Sequence, residues 1–190
     1  MPDASATPLF DFHGWRIAVA GGSKGIGRSI ALAFAEAGAA VSICARGAEA
    51  LKATLDELAG FGHATHAASC DLGNASAITA YIDEAADTLG GIDVLVNNAS
   101  GYGFSEDDEA WLANFNVDLM AAVRASRCAL PHLQRSPHAS ILHTSSIAAF
   151  HPRRNGSAYA AMKAALSHYT TSQAVQLAGQ RIRVNAIAPG

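Results

Sequence analysis

The sequence contains few cysteines and no long apolar run. Its 190 residues include three cysteines, Cys44, Cys70 and Cys128, and each is isolated in apolar surroundings. An odd and sparse set of this kind excludes a disulfide-rich secreted framework, so we expect reduced core thiols in a cytoplasmic protein. The sequence also lacks the run of about 18 apolar residues that a membrane-spanning helix requires, and we expect no membrane association.

Charged residues are scarce as well. They make up 15% of the chain, and the net charge of -3 excludes the strongly basic surface that binds nucleic acids or anionic membranes. Residues 1–10 lack the basic start and the apolar stretch of a signal peptide, and we expect residues 1–14 to form a polar arm. His63 and His66 lie in a strand-like run without a cluster of partner ligands, so no metal site is predicted.

Half of the residues are hydrophobic, which suits one globular domain over residues 1–190. Short apolar runs alternate with segments of helical periodicity. The predicted strands are Arg16–Ala20, Val41–Ala45, His63–Cys70, Ile92–Val96, Ala139–Thr144 and Arg183–Ile187. The predicted helices are centred on Ile30–Ala35, Glu49–Leu58, Ala75–Leu89, Trp111–Leu133 (with an irregularity near Pro131) and Tyr159–Leu177. This alternation predicts an α/β fold, a doubly wound parallel sheet with helices on both faces.

A glycine-rich turn, Gly21-Gly-Ser-Lys-Gly25-Ile-Gly27, follows the first strand and precedes the first helix. Glycines there let the backbone approach a pyrophosphate closely, and the helix offers free N–H groups and the positive end of its dipole. We therefore assign Gly21, Gly25 and Gly27 to a dinucleotide site, with an ordinary tight turn as the alternative.

The end of the second strand bears on the choice of cofactor. An acidic residue there would bind the ribose hydroxyls of NAD, but the strand ends in Ala45-Arg46, and Lys24 adds a second cation. Two cations without a carboxylate favour the 2′-phosphate of NADP through charge-assisted contacts, although both could be solvated surface charges. We expect NADP(H) to be preferred over NAD(H).

Polar residues follow two further strands at the same carboxyl edge of the sheet. Asp71, after the third strand, could accept a hydrogen bond from an adenine amino group or could cap a helix. The segment Asn97-Asn-Ala-Ser-Gly101 leaves the fourth strand as a polar turn. It is either part of the ligand site or an ordinary asparagine-rich turn.

Tyr159 and Lys163 lie four residues apart at the start of a helical pattern, so their side chains should share one helix face. A phenol ordinarily has a pKa of about 10, and a fixed cation beside it lowers that pKa. The pair could therefore act as a general acid or base near neutral pH. The alternative is a packed tyrosine and a solvated amine.

Three loop segments match known motifs. Ala20-Gly-Gly-Ser-Lys-Gly-Ile-Gly27 differs from the pattern Thr-Gly-x-x-x-Gly-x-Gly at its first residue, where alanine stands in place of threonine. Asn97-Asn-Ala-Ser100 differs from Asn-Asn-Ala-Gly at its last residue. Arg183-Val-Asn-Ala-Ile-Ala-Pro-Gly190 matches Arg-Val-Asn-x-Ile-x-Pro-Gly.

The other matching residues lie in or near helices. Tyr159 and Lys163 form the signature Tyr-x-x-x-Lys, Ser146 precedes Tyr159 by thirteen residues, and Asn116 stands in the long helix. Together with the loop motifs, these residues resemble the short-chain dehydrogenase/reductase family, from about Trp15 to the last residue. The 3-oxoacyl-[acyl-carrier-protein] reductase-like branch is the subgroup that we expect, and an enzyme of small ketones, sugars or steroids is the alternative.

The resemblance implies a role for each of four residues. Tyr159 would donate the proton in carbonyl reduction and accept it in alcohol oxidation, and Lys163 would lower the pKa of Tyr159 and hold the nicotinamide ribose. Ser146 would hydrogen-bond the substrate oxygen as negative charge develops on it. Asn116 would anchor, through its backbone, a water molecule that connects Lys163 to solvent.

The resemblance also implies an NADP(H)-binding Rossmann-like domain, a small carbonyl or alcohol substrate and a homo-oligomer, either a dimer or a tetramer. Family members continue with a substrate lid, a further helix and a seventh strand, which we expect to lie beyond Gly190. The alternative function is a cofactor-binding fragment, or an NADP-sensing homologue without turnover. The expected cofactor-binding residues are Gly21, Ser23, Lys24, Gly25, Ile26, Gly27, Arg46, Asp71, Leu72, Asn98, Ala99, Ser100, Tyr159, Lys163, Pro189 and Gly190.

Overall fold

The computed structural model describes residues 10–101, 103–151 and 154–190. Six parallel strands form one sheet in the order β3-β2-β1-β4-β5-β6. The strands are β1 (Arg16–Ala20), β2 (Ala40–Ala45), β3 (Thr65–Ser69), β4 (Val94–Asn97), β5 (Ser140–Thr144) and β6 (Arg183–Ile187). The helices are α1 (Gly25–Glu36), α2 (Ala48–Ala59), α3 (Ala75–Leu89), α4 (Asp108–Asn114), α5 (Ala121–Leu133) and α6 (Ser157–Leu177).

Side chains of β1, β2 and β4 alternate between two apolar layers. In β1, Ile17 and Val19 pack in the layer that contains α1 and α2, whereas Ala18 and Ala20 pack in the layer that contains α3 and α5. Strands buried on both faces are near-continuously apolar, which is why these short runs could be recognised in the sequence. The predicted doubly wound parallel sheet is confirmed.

The long helix expected at Trp111–Leu133 is instead two helices joined by a π-helical turn, Phe115–Met120. The backbone N–H of Ala121 donates to the carbonyl of Asn116, five residues earlier, so the turn holds one extra residue. We expected the irregularity near Pro131, but it lies at Phe115–Met120. Pro131 lies inside α5, two residues before its end, and the helix continues through it.

Two strands begin two residues later than predicted. Strand β3 begins at Thr65 rather than His63, and β4 begins at Val94 rather than Ile92. Ile92 is nevertheless fully buried in the apolar layer. Burial by a loop produces the same apolar signal as burial in a strand, so the pattern overestimated the length of β4.

The alanines of α5 and α6 differ in their exposure. Ala121, Ala122 and Ala125 are buried within this chain, whereas Ala164 is exposed and Ala165 is partly exposed. Cys44 and Cys70 are buried free thiols, and Cys128 is a partly exposed one. None of the helices in the described ranges is long and apolar enough to cross a membrane.

An ion pair joins the amino ends of β1 and β4. The carboxylate of Asp93 accepts hydrogen bonds from the backbone N–H, Nε and Nη2 of Arg16, each at 2.8 Å, and from the hydroxyl of Ser136. Burial alone would raise the pKa of Asp93, but the hydrogen bonds from Arg16 and Ser136 outweigh it and lower the pKa. The pair lies at the edge of the sheet opposite the glycine-rich turn.

Replacing Asp93 with asparagine should therefore destabilise the fold. Loss of the charge-assisted bonds should lower the free energy of unfolding by about 1.5–3 kcal/mol at neutral pH, measured by urea denaturation. Because the folded-state pKa is lowered, the stabilisation is present above the unfolded-state pKa and is lost as the pH falls through the folded-state value. The difference in unfolding free energy between Asp93→Asn and the wild type should therefore shrink over the same acid range. An equally stable variant at neutral pH would contradict this.

Candidate functional site

A cavity of about 570 Å³ opens at the carboxyl ends of the strands. In open parallel sheets, ligands bind at this edge, where the strand order reverses, here between β1 and β4. All the expected cofactor-binding residues except Gly27 line the cavity, and so do three of the four expected catalytic residues, Ser146, Tyr159 and Lys163.

The glycine-rich turn leaves the start of α1 open toward the cavity. Gly21 and Gly25 have φ angles of +84° and +52°, which favour glycine, and a Cβ atom added to Gly25 would meet nothing within 4 Å. Lys24 is the N-cap residue, yet its side chain makes no capping bond, and the first turn has no acidic residue. Uncapped N–H groups at a helix start suit a pyrophosphate, so the turn fits a dinucleotide.

Gly27 does not line the cavity, although we expected it to contact the cofactor. It is buried, and a Cβ atom there would lie 2.1 Å from the carbonyl oxygen of Gly21 and 2.5 Å from Nδ2 of Asn98. The missing side chain lets α1 pack closely against the turn rather than admitting a ligand directly.

The side of the cavity near β2 and β3 carries the charged residues. Lys24 and Arg46 are exposed and line the cavity, together with Asp71 and Leu72. The carboxylate of Asp71 accepts the backbone N–H of Gly73 at 3.0 Å, while Asn74 caps α3. The capping role that we considered for Asp71 is therefore wrong.

Asn98 connects three strand ends. Its Nδ2 donates to the carbonyl of Gly21 at 3.1 Å, and its Oδ1 accepts from the hydroxyl of Thr144 at 3.1 Å. The turns after β1 and β4 and the end of β5 are thereby held together. Ala99 and Ser100 follow on the cavity wall.

Tyr159 and Lys163 lie in the first two turns of α6. Tyr159 is 9% exposed, and Nζ of Lys163 lies 5.5 Å from the centroid of its ring. The helical spacing thus brings the two side chains together, as expected from the sequence. Ser146, in the loop after β5, accepts the backbone N–H of Ala148 at 3.2 Å through its hydroxyl.

The side chain of Lys163 is 2% exposed. Its Nζ donates to the carbonyl of Thr144 at 3.0 Å and lies 3.3 Å from Oδ1 of Asp118. Burial lowers the pKa of Lys163, and the carboxylate of Asp118 opposes that effect. A lysine in this environment is a fixed cation rather than a solvated one, which excludes the alternative of a freely hydrated amine.

Asn116 does not reach the cavity wall. Its side-chain amide donates to the carbonyl of Leu112 at 3.0 Å, and its carbonyl accepts the N–H of Ala121 in the π-helical turn. The neighbouring Val117 lines the cavity instead.

Several residues of the site were not identified from the sequence. Asp118 gave no signal because one aspartate in a helical pattern is usually solvated. Ser145 bonds the backbone carbonyl of Lys163 at 3.0 Å and the hydroxyl of Ser167 at 2.7 Å, which holds the start of α6 against β5. The other cavity residues that we did not expect are Ala45, Gly47, Cys70, Val117 and Thr144. No cluster of metal-binding residues occurs within the described ranges.

A family model and curated relatives both match this chain over most of its length. The family model described as short chain dehydrogenase matches residues 16–190. The 7alpha-hydroxysteroid dehydrogenase of Escherichia coli K12 is 34% identical over 175 residues, which are 90% of this chain and 69% of that protein.

Two solved structures have the same fold and contain a nicotinamide cofactor. A short chain dehydrogenase from Burkholderia cenocepacia in complex with NADP has a TM-score of 0.87 and 35% identity, and the match covers 94% of this chain and 74% of that one. An NAD+-bound xylitol dehydrogenase has a TM-score of 0.90 and 27% identity, with 94% and 71% covered. The chain therefore belongs to the short-chain dehydrogenase/reductase family of oxidoreductases that use a nicotinamide cofactor.

Proposed function

We propose that this protein interconverts a carbonyl compound and a secondary alcohol with NADP(H), and that Tyr159 is its general acid and base. The supporting observation is that Ser146, Tyr159 and Lys163 line the same cavity as the glycine-rich turn. A proton-transfer group and a dinucleotide-binding turn on one cavity suit a reaction in which a hydride and a proton move to neighbouring atoms.

The residues that would hold the cofactor follow from their positions. The turn Gly21–Ile26 would bind the pyrophosphate, the residues after β2 and β3 the adenosine end, and Lys163 the nicotinamide ribose. When bound, the cofactor supplies or accepts the hydride. The protein is left to orient the substrate and to move the proton.

In carbonyl reduction, the phenolic proton of Tyr159 passes to the substrate oxygen as the carbonyl carbon gains a hydride. The hydroxyl of Ser146 donates a second hydrogen bond to the same oxygen, stabilising its developing negative charge. The buried cation of Lys163 favours the phenolate that remains on Tyr159. In alcohol oxidation, the same groups act in the reverse direction.

Tyr159→Phe should abolish proton transfer while preserving packing, because the ring remains. We expect turnover to fall by about 10²–10⁴-fold, with NADPH affinity near that of the wild type. Lys163→Ala should reduce both turnover and NADPH affinity, since its cation serves both. Ser146→Ala should reduce turnover alone. Steady-state rates and NADPH fluorescence titrations on the same preparations measure the two effects.

The unsubstituted protein provides the decisive control for these variants. If it binds NADPH but shows no turnover with any ketone, the alternative of a cofactor-sensing protein is favoured. If Tyr159→Phe retains full activity, the assignment of Tyr159 is wrong.

The preference for NADP(H) is supported by charge. Lys24 and Arg46 both line the cavity and are exposed, so each could contact a 2′-phosphate. Asp71 is the acidic residue of the cavity wall among the described residues, but it follows β3 rather than β2. The cavity wall therefore offers a 2′-phosphate two cations, and no carboxylate directly follows β2.

Replacing Ala45 with aspartate and Arg46 with glycine should shift the preference toward NADH. Loss of one charge-assisted contact, worth about 1.5–3 kcal/mol, predicts about a ten- to hundred-fold weaker affinity for NADPH. Lys52→Gly, which removes an exposed lysine of α2 outside the cavity wall, is the matched control. Wild-type protein that binds NADH as tightly as NADPH would contradict this assignment.

The proposed substrate is a ketone or alcohol with apolar substituents. The ring of Phe104, 47% exposed, lies 5.9 Å from that of Tyr159, and the exposed Ile147 directly follows Ser146. A steroid enzyme is among the relatives, and we proposed the 3-oxoacyl-[acyl-carrier-protein] reductase-like branch from the sequence. Steroid ketones and 3-oxoacyl thioesters are therefore the first substrates to assay, with sugars as polar controls.

We expect the protein to form a homo-oligomer. Leu112 and Val175 are 61% and 80% exposed on α4 and α6, and Trp111 and Phe115 are exposed nearby in sequence. Large apolar side chains that are exposed on an isolated chain are typical of residues that become buried in a subunit interface. Light scattering at micromolar concentration should give a mass of two or four chains, and Leu112→Glu with Val175→Glu should lower it. A monomeric wild type would contradict the proposal, and Lys52→Glu is the surface control.

A further inference from the structure

Asp118 lies beside the proposed catalytic lysine, outside the four residues to which the family resemblance assigns roles. Its side chain is fully buried, with Oδ1 at 3.3 Å from Nζ of Lys163. Its Oδ2 accepts the backbone N–H of Gly101 at 3.0 Å. One carboxylate therefore contacts both the lysine and the loop that follows β4.

Asp118 lies in the π-helical turn that joins α4 to α5. Asp118 is in the middle of Phe115–Met120, where one additional residue is accommodated in the helix. Each helical residue rotates the chain by about 100°, so the additional residue changes which side chains downstream of it face α6. The turn itself packs against α6, with Oδ1 of Asp118 facing Lys163.

Asp93 shows what a structural carboxylate looks like in the same chain. Both of its oxygens accept hydrogen bonds, from Arg16 and from Ser136. By contrast, Oδ1 of Asp118 accepts no hydrogen bond from the described residues, although it faces Lys163. Its contact with the ammonium group is therefore an ion pair with poor hydrogen-bond geometry, and its main effect is on charge.

We propose that Asp118 is a positioning residue that keeps Lys163 protonated and holds its ammonium group beneath Tyr159. The proposal rests on the proposed function, because it assigns to Asp118 the maintenance of a cation that the Tyr159 chemistry needs. It adds a fifth residue to the catalytic arrangement, one that acts through Lys163 and does not contact the substrate.

The titratable groups around Lys163 support this assignment. Tyr159 faces it from the same helix, and His143 lies near it on β5. His143 is fully buried, and burial lowers its pKa to about 4, so it is neutral at physiological pH. Asp118 is thus the described group whose charge offsets the burial of Lys163.

The chain has only three lysines, Lys24, Lys52 and Lys163, which permits a direct measurement. Protein labelled with ¹³C at the lysine ε-carbon should give three NMR signals, and the one lost in Lys163→Arg belongs to Lys163. In Asp118→Asn we expect the pKa of that signal to fall by about 1–3 pH units, because an opposite charge nearby is lost. The asparagine can still accept the Gly101 N–H.

Asp93→Asn is the matched control, since it removes the charge of a buried carboxylate far from the cavity. It should leave the Lys163 titration unchanged. Asp118→Glu, which keeps the charge, should restore most of the wild-type pKa. If Asp118→Asn does not fold, Asp118→Ser removes the charge with less volume and gives the same comparison.

Kinetics form the second part of the test. In Asp118→Asn, carbonyl reduction should lose rate at a lower pH than in the wild type, following the lowered pKa of Lys163. An unchanged Lys163 titration in the charge-removing variants would overturn the proposal. A lowered Lys163 pKa in a protein whose wild type shows no turnover would leave the ion pair established and the proposed function wrong.

Discussion

The cavity depends on the close approach of two backbone turns. The turn after β1 passes so near the turn after β4 that a Cβ atom on Gly21 would lie 2.9 Å from the Cα of Ala99. On its other side, α1 packs against the carbonyl of Gly21 because Gly27 has no side chain. The side-chain amide of Asn98 links these two turns to β5, because its Nδ2 donates to Gly21 and its Oδ1 accepts from Thr144. The helix start, the charged residues and Ser146 surround one cavity because these turns are held in contact.

The catalytic end adds a second requirement, which is a charge held away from water. Lys163 is almost fully buried, and such burial is tolerated when a carboxylate and a carbonyl compensate for the lost hydration. The two partners come from separate parts of the chain, Thr144 from β5 and Asp118 from the π-helical turn. The ammonium group therefore contacts both partners only when α6 packs correctly against β5 and against the π-helical turn.

Much of this arrangement could be predicted from the sequence, and the remainder could not for physical reasons. The run Arg16–Ala20 and the glycines after it are local signals, since a buried parallel strand is apolar throughout and a positive φ requires glycine. Tyr159 and Lys163 were paired correctly because helical periodicity fixes their separation. The partner of Lys163 was missed, since Asp118 lies in a π-helical turn and an apolar pattern does not reveal which side chains such a turn directs inward. Gly27 was given a ligand role because sequence spacing does not distinguish a glycine that faces a ligand from one that faces another backbone.

The loop of Ser146 is held by the segment that follows the last strand. Ser145 and Ile147 donate their backbone N–H groups to the carbonyls of Ile187 and Pro189, and the Ser146 hydroxyl lies 3.5 Å from the same Pro189 carbonyl. The serine hydroxyl can point its single proton at only one acceptor at a time. A shift of the Pro189 carbonyl by a fraction of an ångström would therefore change whether that proton is directed at the protein backbone or at a substrate oxygen. The segment after β6 could in this way control whether the Ser146 hydroxyl is available to the substrate, without contacting the substrate itself.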